Sequence, residues 1–350
     1  MNRRNLLYAA LALLMSLSAC APDPDADLDG IELEVRVTRM DSLMLAASEA
    51  LRSRGAEAYF SVYQQMLQPE RAFFMVFTGL DQDSLAARLS PASQDSLLAY
   101  AVLGPFLADS NAYALLDTVR QVFPYDYPFA DRLTPMLKRL KKHFPDAELP
   151  AFATHIDDPS QVSQILSLPG YMSIGLQYFL GPKFRYAPPE TPDFIRRRFD
   201  PACLEVAMAN KIADELIEPM PGGKLPLLVE HVVHAGIRQY FIQQLLPHTP
   251  DSARLYYTST QMIWADYYEA RIYKELLDHF FEPDLALYRE YLSEKPYTTS
   301  LSPESAPRIG AYCGWKIVSA YMKRHPEESL ERLCARTDYE TIFRESGYKP

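Results

Sequence analysis

The sequence is poor in cysteine, with four in 350 residues, so the fold does not depend on a disulfide framework. It also lacks the short motifs of several enzyme classes. There is no G-x-S-x-G turn, no phosphate-binding P-loop, no G-x-G-x-x-G dinucleotide motif and no C-x-x-C pair. Serine hydrolase, nucleotide-binding and thiol redox functions therefore have no support from sequence motifs.

An excess of positive charge is absent as well. The formal net charge is −10 at pH 7, and no basic stripe offsets it, which argues against a nucleic-acid partner. Apolar residues, in contrast, are plentiful. At 48% hydrophobic, with 23 tyrosines and 17 phenylalanines, the chain has ample core material for one large domain or two modest ones.

The N-terminus has the pattern of a secretory signal. Arg3 and Arg4 precede an uncharged apolar stretch, residues 6–17, which is too short to span a bilayer permanently. The stretch leads into the letters LSAC, which end at Cys20 and resemble the bacterial lipobox. In such signals the chain is cut before the cysteine, whose thiol is lipid-modified. We therefore predict a signal peptide at residues 1–19 and lipidation of Cys20, with palmitate among the attached chains.

The residues after Cys20 predict how the mature chain is held. Residues 20–30 are acidic and rich in turn formers, which indicates a solvated tether. Ala21 stands where an aspartate would retain a lipoprotein in the inner membrane, so we expect the outer membrane, on either its periplasmic face or the cell surface. The lipid would anchor the chain without spanning the bilayer. With Cys20 lipidated, the other three cysteines form one disulfide or none.

Hydrophobic periodicity predicts an α+β fold that is mainly helical with a small β-sheet. We expect residues 31–350 to form a single domain, with a helical first half (31–148) and a second half (149–350). Strand patterns occur at residues 31–39, 149–156 and 171–179. Helical patterns occur at residues 41–52, 55–67, 71–78, 85–103, 112–123, 133–144, 192–199, 201–217, 225–246, 259–281, 309–323 and 339–345.

The predicted helix at residues 225–246 carries a polar trio, Glu230, His231 and His234. A zinc peptidase helix reads H-E-x-x-H, whereas this one reads E-H-V-V-H. Glu230 and His234 are four residues apart and share a helix face, so with Glu269 they form a candidate zinc site. His231 is an alternative ligand. Neither set leaves a carboxylate free to act as the general base.

The alternative interpretation is a buried helix that crosses the core. A buried Glu230 then needs a partner, for which Arg308 and His234 are candidates. Trp264 and Trp315 are interpreted as residues that pack in the core, in preference to surfaces on which a ligand stacks. For Glu304 and Arg308, helix capping and an ion pair are preferred over ligand contact.

The second half of the chain resembles the family of the gliding motility lipoprotein GldB. The resemblance is carried by E-S at 304–305, R-I-G at 308–310, G-W at 314–315, I-V at 317–318, Y-M at 321–322 and the chain end at 342–350. Upstream, Gln261, Trp264 and Glu269 resemble the family's Q-x-x-W and following acidic position. LQYFLG at 176–181 resembles its L-D-x-Y-L-G segment, and residues 142–150 resemble its y-F-P-x-x-x-x-P segment. The chain departs from the family pattern at three places. It has Gln177 where the family usually has aspartate, Ala306-Pro307 in place of a Pro-Gly pair, and Tyr268 where asparagine is typical.

The resemblance implies an outer-envelope lipoprotein of Bacteroidota, associated with gliding motility and its linked secretion machinery. Its partners would be the membrane, through the Cys20 lipid, and other envelope proteins. Gln261, Trp264, Glu304, Arg308 and Trp315 are then candidates for partner or ligand contact. We expect a non-catalytic protein without a cofactor.

A second resemblance keeps an enzyme hypothesis open. Short strands, a histidine-bearing helix and a second helix with a glutamate follow one another as in predicted zinc peptidases, which implies a degenerate zincin-like fold for residues 149–350. A metal-dependent peptidase using zinc is therefore the alternative, and ligand binding in a cleft without chemistry is a third possibility.

Overall fold

The structure is a computed structural model that describes residues 25, 28–55, 70, 73, 104, 108–156, 164–183 and 190–350. It confirms the α+β class: the described residues form many helices and one small mixed sheet. Apart from Gly55 and Phe73, the predicted helices at residues 55–67, 71–78 and 85–103 lie outside the described residues, as do the signal peptide and Cys20. The likeness of residues 149–350 to a zinc peptidase stays a prediction.

The sheet contains four strands, β1 (Val37–Arg39), β2 (Ala151–His155), β3 (Ile165–Leu168) and β4 (Tyr171–Gly175), in the spatial order β1-β2-β4-β3. β1, β2 and β4 are parallel, and β3 is antiparallel to β4. The predicted strand at 31–39 is paired only at its end. In the observed register Val37 lies opposite Phe152, so Val35 is level with Pro150, which has no N–H to donate.

The predicted strand at 171–179 is correct as far as Gly175 and then turns into a 3-10 helix, Leu176–Phe179. β3 was not predicted. Its hairpin with β4 turns at Pro169 and Gly170, and Gly170 has a φ of 75°, which a glycine adopts without strain.

Eleven helices of six or more residues are found among the described residues. They are α1 (Met40–Arg54), α2 (Ser110–Val122), α3 (Phe129–His143), α4 (Leu204–Leu216), α5 (Leu228–Leu245), α6 (Ser259–Tyr267), α7 (Glu269–Leu277), α8 (Leu285–Tyr291), α9 (Ile309–Arg324), α10 (Leu330–Ala335) and α11 (Tyr339–Ser346). Shorter turns occur at Asp193–Arg196, Arg197–Phe199, Pro201–Cys203 and Asp251–Arg254.

One predicted helix, residues 259–281, is in fact two. The backbone leaves helical geometry at Tyr268, with φ −102° and ψ 19°, where α6 ends and α7 begins. No proline or glycine marks the break, so the sequence pattern does not reveal it. Trp264 packs against Tyr268 with 4.9 Å between ring centroids, and this contact lies at the break.

The α5 helix lies at the centre of the core. It packs most extensively against α9, and also against α3, α4 and α11. Its apolar residues, among them Val229, Val232, Val233 and Ile237, are fully buried. One continuous hydrophobic cluster extends from Met44 in α1 to Ile342 in α11, so both halves of the described chain share a core. No helix among the described residues has the length and apolar character needed to cross a membrane.

Candidate functional site

Glu230 is used to cap the helix that carries it. The α5 helix begins three residues later than predicted, after Pro226, and Leu227 occupies its N-cap position. The Glu230 carboxylate accepts a hydrogen bond from the Leu227 backbone N–H at 2.7 Å. Its nearest cation is Lys224, with 3.7 Å between Nζ and Oε1. The predicted partners Arg308 and His234 are therefore wrong, because Glu230 sits in the first turn, where orphan backbone N–H groups need an acceptor.

The two histidines of α5 face different neighbours. The His231 ring packs on Tyr288 of α8, with 4.6 Å between centroids, and burial lowers the pKa of His231. The His234 ring lies edge-on to Tyr339 of α11 at 5.7 Å. Burial, aided by the charge of Arg238, lowers the pKa of His234, although a hydrogen bond with the Glu218 backbone opposes this. Both imidazoles are therefore neutral at pH 7.

Glu269 lies in a third environment, at the start of α7. Its carboxylate accepts hydrogen bonds from the hydroxyls of Tyr312, at 3.0 Å, and of Tyr348. The Lys316 ammonium is 3.5 Å away, and Asp266 shares the Tyr312 hydroxyl at 2.8 Å. Burial and these acceptors raise the pKa values of Tyr312 and Tyr348, so both hydroxyls stay protonated and donate. Glu269 thus fastens the C-terminal segment to α7 and α9.

The candidate zinc ligands Glu230, His234 and Glu269 are consequently not assembled into one site. Each has a separate set of partners, and His231 faces away toward α8. Within the described ranges, no group of three histidine, cysteine, aspartate or glutamate side chains is arranged to hold a metal ion. Glu230 and His234 do share a helix face, as predicted. The Glu230 carboxylate, however, caps α5, and the Glu269 carboxylate accepts from two tyrosine hydroxyls.

We expect Glu269→Gln to lower the free energy of unfolding by about 1–2 kcal/mol, because a neutral amide accepts weakly from the hydroxyls of the buried Tyr312 and the half-buried Tyr348. Urea denaturation of the full-length protein in non-ionic detergent measures the loss. Glu331→Gln, at an exposed position of α10, is the matched control and should leave the unfolding curve unchanged. If the wild-type protein bound zinc and the Glu269→Gln variant lost the zinc without a change in stability, the metal hypothesis would instead be restored.

The aromatic and amide candidates have structural partners. Trp315 is buried, as predicted for a core anchor, and its Nε1–H donates to Gln243 at 2.9 Å. Trp264 is half-buried against the core. Gln261 forms a capping box with Thr258 at the start of α6, and its amide also donates to the Pro296 carbonyl at 3.1 Å. No ligand role for these residues is needed to explain their positions.

Glu304 and Arg308 do not pair with each other. Glu304 is exposed and accepts a hydrogen bond from the Ser302 hydroxyl at 2.6 Å. Arg308 occupies the N-cap position of α9, donates to the Leu255 carbonyl and lies 3.6 Å from the Glu294 carboxylate. The predicted ion pair of Arg308 is therefore present, but with Glu294.

Arg308 lies at one wall of an open cleft that the sequence patterns did not reveal. The cleft has a volume of about 270 Å³ and is lined by four cationic side chains, Arg198, Lys211, Arg238 and Arg308, with two carboxylates, Asp214 and Glu294. These residues come from five separate segments, so no local motif links them. Besides Arg308, which the family resemblance made a candidate for ligand contact, the run of three arginines at 196–198 is a sequence feature that leads to this cleft.

The backbone is strained at this cleft. Among the described residues, two non-glycines have positive φ, Tyr256 at 56° and Arg308 at 48°, and both line the cleft. Left-handed backbone costs a non-glycine residue roughly 1–3 kcal/mol and persists where the surroundings enforce it. Here the guanidinium groups of Arg198 and Arg308 both lie over the Tyr256 ring, 4.6 and 5.9 Å from its centroid. The cleft wall is thus a fixed arrangement of two arginines on one aromatic ring.

Comparison with known families gives a match over nearly the whole chain. The sequence model of a family described as gliding motility protein GldB matches residues 21–350. The chain belongs to this family. The match confirms the resemblance first seen in the motifs of residues 304–350 and supports a gliding-motility lipoprotein role. No curated protein and no solved structure matches the chain.

Proposed function

We propose that this GldB-family protein is a non-catalytic lipoprotein of the outer membrane, which serves gliding motility and its linked secretion machinery by binding other envelope proteins. The observation that carries the proposal is the family match over residues 21–350. The match includes the whole described core, so it supports a role for the complete folded domain and not for a shared short motif.

The predicted lipobox supports membrane anchoring. The family match begins directly after Cys20, the residue that would receive the lipid. A lipid chain and an acidic tether would leave the domain in water beside the membrane, where protein partners can reach it. Ala21 at the following position supports delivery to the outer membrane.

The chemistry of the candidate catalytic groups supports a binding role. Glu230 and Glu269 are engaged in capping and tyrosine contacts. The thiols of Cys203, Cys313 and Cys334 are all free, and burial raises the pKa of each, to about 11 for Cys203 and about 12 for Cys334. Because the thiolate is the nucleophile, such thiols are unreactive at neutral pH.

Cys20→Ser tests the proposed anchor. We expect the variant to lose metabolic labelling with palmitate, to retain residues 1–19 and to be missing from the outer-membrane fraction, because cleavage of such signals follows lipidation of the cysteine. A deletion strain carrying this variant should glide no better than the deletion strain itself. Cys203→Ser is the control and should behave as wild type, because this half-buried thiol forms no disulfide and a serine hydroxyl can keep its weak hydrogen bond to the Arg197 carbonyl. An unlabelled but fully active Cys20→Ser protein would refute the proposal.

The same deletion strain also tests the proposal that the protein is non-catalytic. His231→Gln removes the group that stands in the general-base position of a peptidase helix, while the half-buried site accommodates the similar-sized amide. Gliding speed equal to wild type, at equal protein level, supports binding without catalysis. Loss of gliding with the outer-membrane level unchanged would favour an enzyme.

A further inference from the structure

The cleft beside Tyr256 combines several features that its internal ion pairs leave unexplained. It opens between α4, which contributes Lys211 and Asp214, α5, which contributes Arg238, and the N-terminus of α9 at Arg308. The Arg197–Phe199 turn contributes Arg198. Four cations face two carboxylates, so the cleft has an excess of two positive charges in a chain whose net charge is −10.

Part of this positive charge is balanced within the cleft. The Glu294 carboxylate accepts a hydrogen bond from Arg198 and lies 3.6 Å from Arg308. Asp214 pairs with Arg238 at 2.7 Å, and Arg238 also donates to the Asn210 carbonyl at 3.1 Å. In a purely structural interpretation, Asp214 and Glu294 would serve only to neutralise the neighbouring arginines.

Three donors remain outside that arrangement. The Nε atoms of Arg198 and Arg308 are both buried, and neither has a hydrogen-bond partner in the part of the chain that the structure describes. The half-buried Lys211 ammonium likewise has no ion pair or hydrogen bond there. Buried donors without acceptors are costly, so an acceptor from outside the described chain would complete the cleft if it reached these donors when the exposed Glu294 side chain moves aside.

We propose that this cleft binds a phosphate monoester. A monoester at neutral pH carries a charge of about −2 and offers three acceptor oxygens. The excess of positive charge in the cleft is two with Glu294 in place and three without it, so a dianion suits the cleft better than a monoanion. The three oxygens correspond to the three donors without partners. Arginine guanidinium groups suit such oxyanions because their N–H groups form a planar fork, and the lysine adds a point charge.

Glu294 has a defined role in this proposal. Its side chain is 44% exposed and lies on the loop after α8, so it can swing away from Arg198 and Arg308 when the phosphate enters. The carboxylate then acts as a competing internal anion that holds the two arginines in place while the cleft is free of ligand. Removing it should strengthen binding, whereas removing a cation should weaken binding.

The proposal is tested by titration calorimetry on the full-length lipoprotein in a non-ionic detergent. Glycerol 3-phosphate is a soluble monoester, dihexanoyl phosphatidic acid presents the same group on a lipid, and glycerophosphoglycerol is a diester with a single negative charge. We expect saturable one-to-one binding of a monoester and at least tenfold weaker binding of the diester. Binding of the soluble probe identifies a free phosphorylated compound as the ligand class, and binding of the lipid probe alone identifies a headgroup.

Variants of opposite expected effect make the test specific. Lys211→Met should weaken monoester binding about tenfold, because it removes a charged donor without breaking a structural contact. Lys323→Met is the matched control, since Lys323 is exposed at the far end of α9, about 22 Å along the helix axis from Arg308. Glu294→Gln should tighten binding several-fold.

Three outcomes would overturn the proposal. The first is no binding of either monoester probe at millimolar concentration. The second is equal binding of the diester, which would show that the two-charge excess does not select the ligand. The third is an unchanged affinity in both Lys211→Met and Glu294→Gln, with circular dichroism showing that both variants are folded.

Discussion

Replacing Gly314 with alanine is expected to lower the free energy of unfolding by about 3–4 kcal/mol, near the upper range for overpacking a core. Gly314 belongs to the Gly-Trp motif of α9 that carries the family resemblance. A Cβ atom at this position would collide with the backbone carbonyl of Val232 in α5. The colliding group is backbone within a helix, so no side-chain rotation can relieve the contact.

The reason lies in how closely α5 and α9 approach each other. Gly236 of α5 faces Gly314 of α9, and a Cβ on Gly236 would collide with the Gly314 carbonyl in the same way. The two helices therefore touch backbone to backbone, which only glycine permits. We expect Gly236→Ala to cost about as much as Gly314→Ala. The double variant should cost less than the sum, because the first methyl group already forces the helices apart.

Urea denaturation, followed by the fluorescence of Trp315 and Trp264, measures these losses. Gly222→Ala is the matched control, because Gly222 has an ordinary φ and a Cβ there would meet no atom within 4 Å. Its midpoint should stay within experimental error of wild type. If Gly314→Ala unfolded at the wild-type urea concentration, the close crossing of α5 and α9 would be refuted.

Much of this fold is predictable from the sequence because buried apolar residues recur at regular helical intervals. α5 and α9 repeat buried apolar residues at helical spacing, and each was predicted within a few residues of its observed ends. The predicted start of α5 is three residues early because the apolar run begins at Leu225, ahead of Pro226 and the observed N-cap at Leu227. β3 was missed because only Ile165 of its four residues is buried, so no clear alternation appears.

The functional residues were harder to predict for a different reason. Helical spacing correctly placed Glu230 and His234 on one face, but it carries no information on whether Glu269, in another helix, approaches them. The cleft shows the opposite case, in which residues that no sequence spacing relates are close together in the fold. Arg198, Lys211 and Arg308 are unrelated by spacing, and they meet only through the packing of α4, α5 and α9. Of the cations in the cleft, Arg308 alone was singled out, through the family resemblance.

The second large effect is expected at the start of the described chain, where Asp41→Ala should lower the free energy of unfolding by about 3 kcal/mol. The Asp41 carboxylate, 3% exposed, accepts two hydrogen bonds from the Arg39 guanidinium, at 2.9 and 2.7 Å, and one from Thr154 of β2. Removing it leaves a mostly buried guanidinium without a counter-charge. Arg39 in turn donates to the carbonyls of Phe123, Pro124 and Tyr125, so the pair connects β1 to the end of α2.

Asp117→Ala is the matched control, because Asp117 also pairs with an arginine, Arg120, but the two side chains are open to solvent, at 31% and 57% exposure. Exposed pairs contribute about 0–1 kcal/mol, so its unfolding curve should barely move. An Asp41→Ala curve that coincides with the Asp117→Ala curve would show that the Arg39–Asp41 pair is not a structural connection.

The same experiment tests the prediction that residues 31–350 form a single domain. Both tryptophans lie in the second half, at 264 and 315, whereas Asp41 lies in the first. Because one hydrophobic cluster includes residues from α1 to α11, we expect Asp41→Ala to shift the tryptophan transition and the far-ultraviolet dichroism transition by the same amount. A tryptophan transition that stays at the wild-type midpoint while the dichroism transition falls would show that the first half unfolds alone. In that case the shared core would be an interface between two cooperative units.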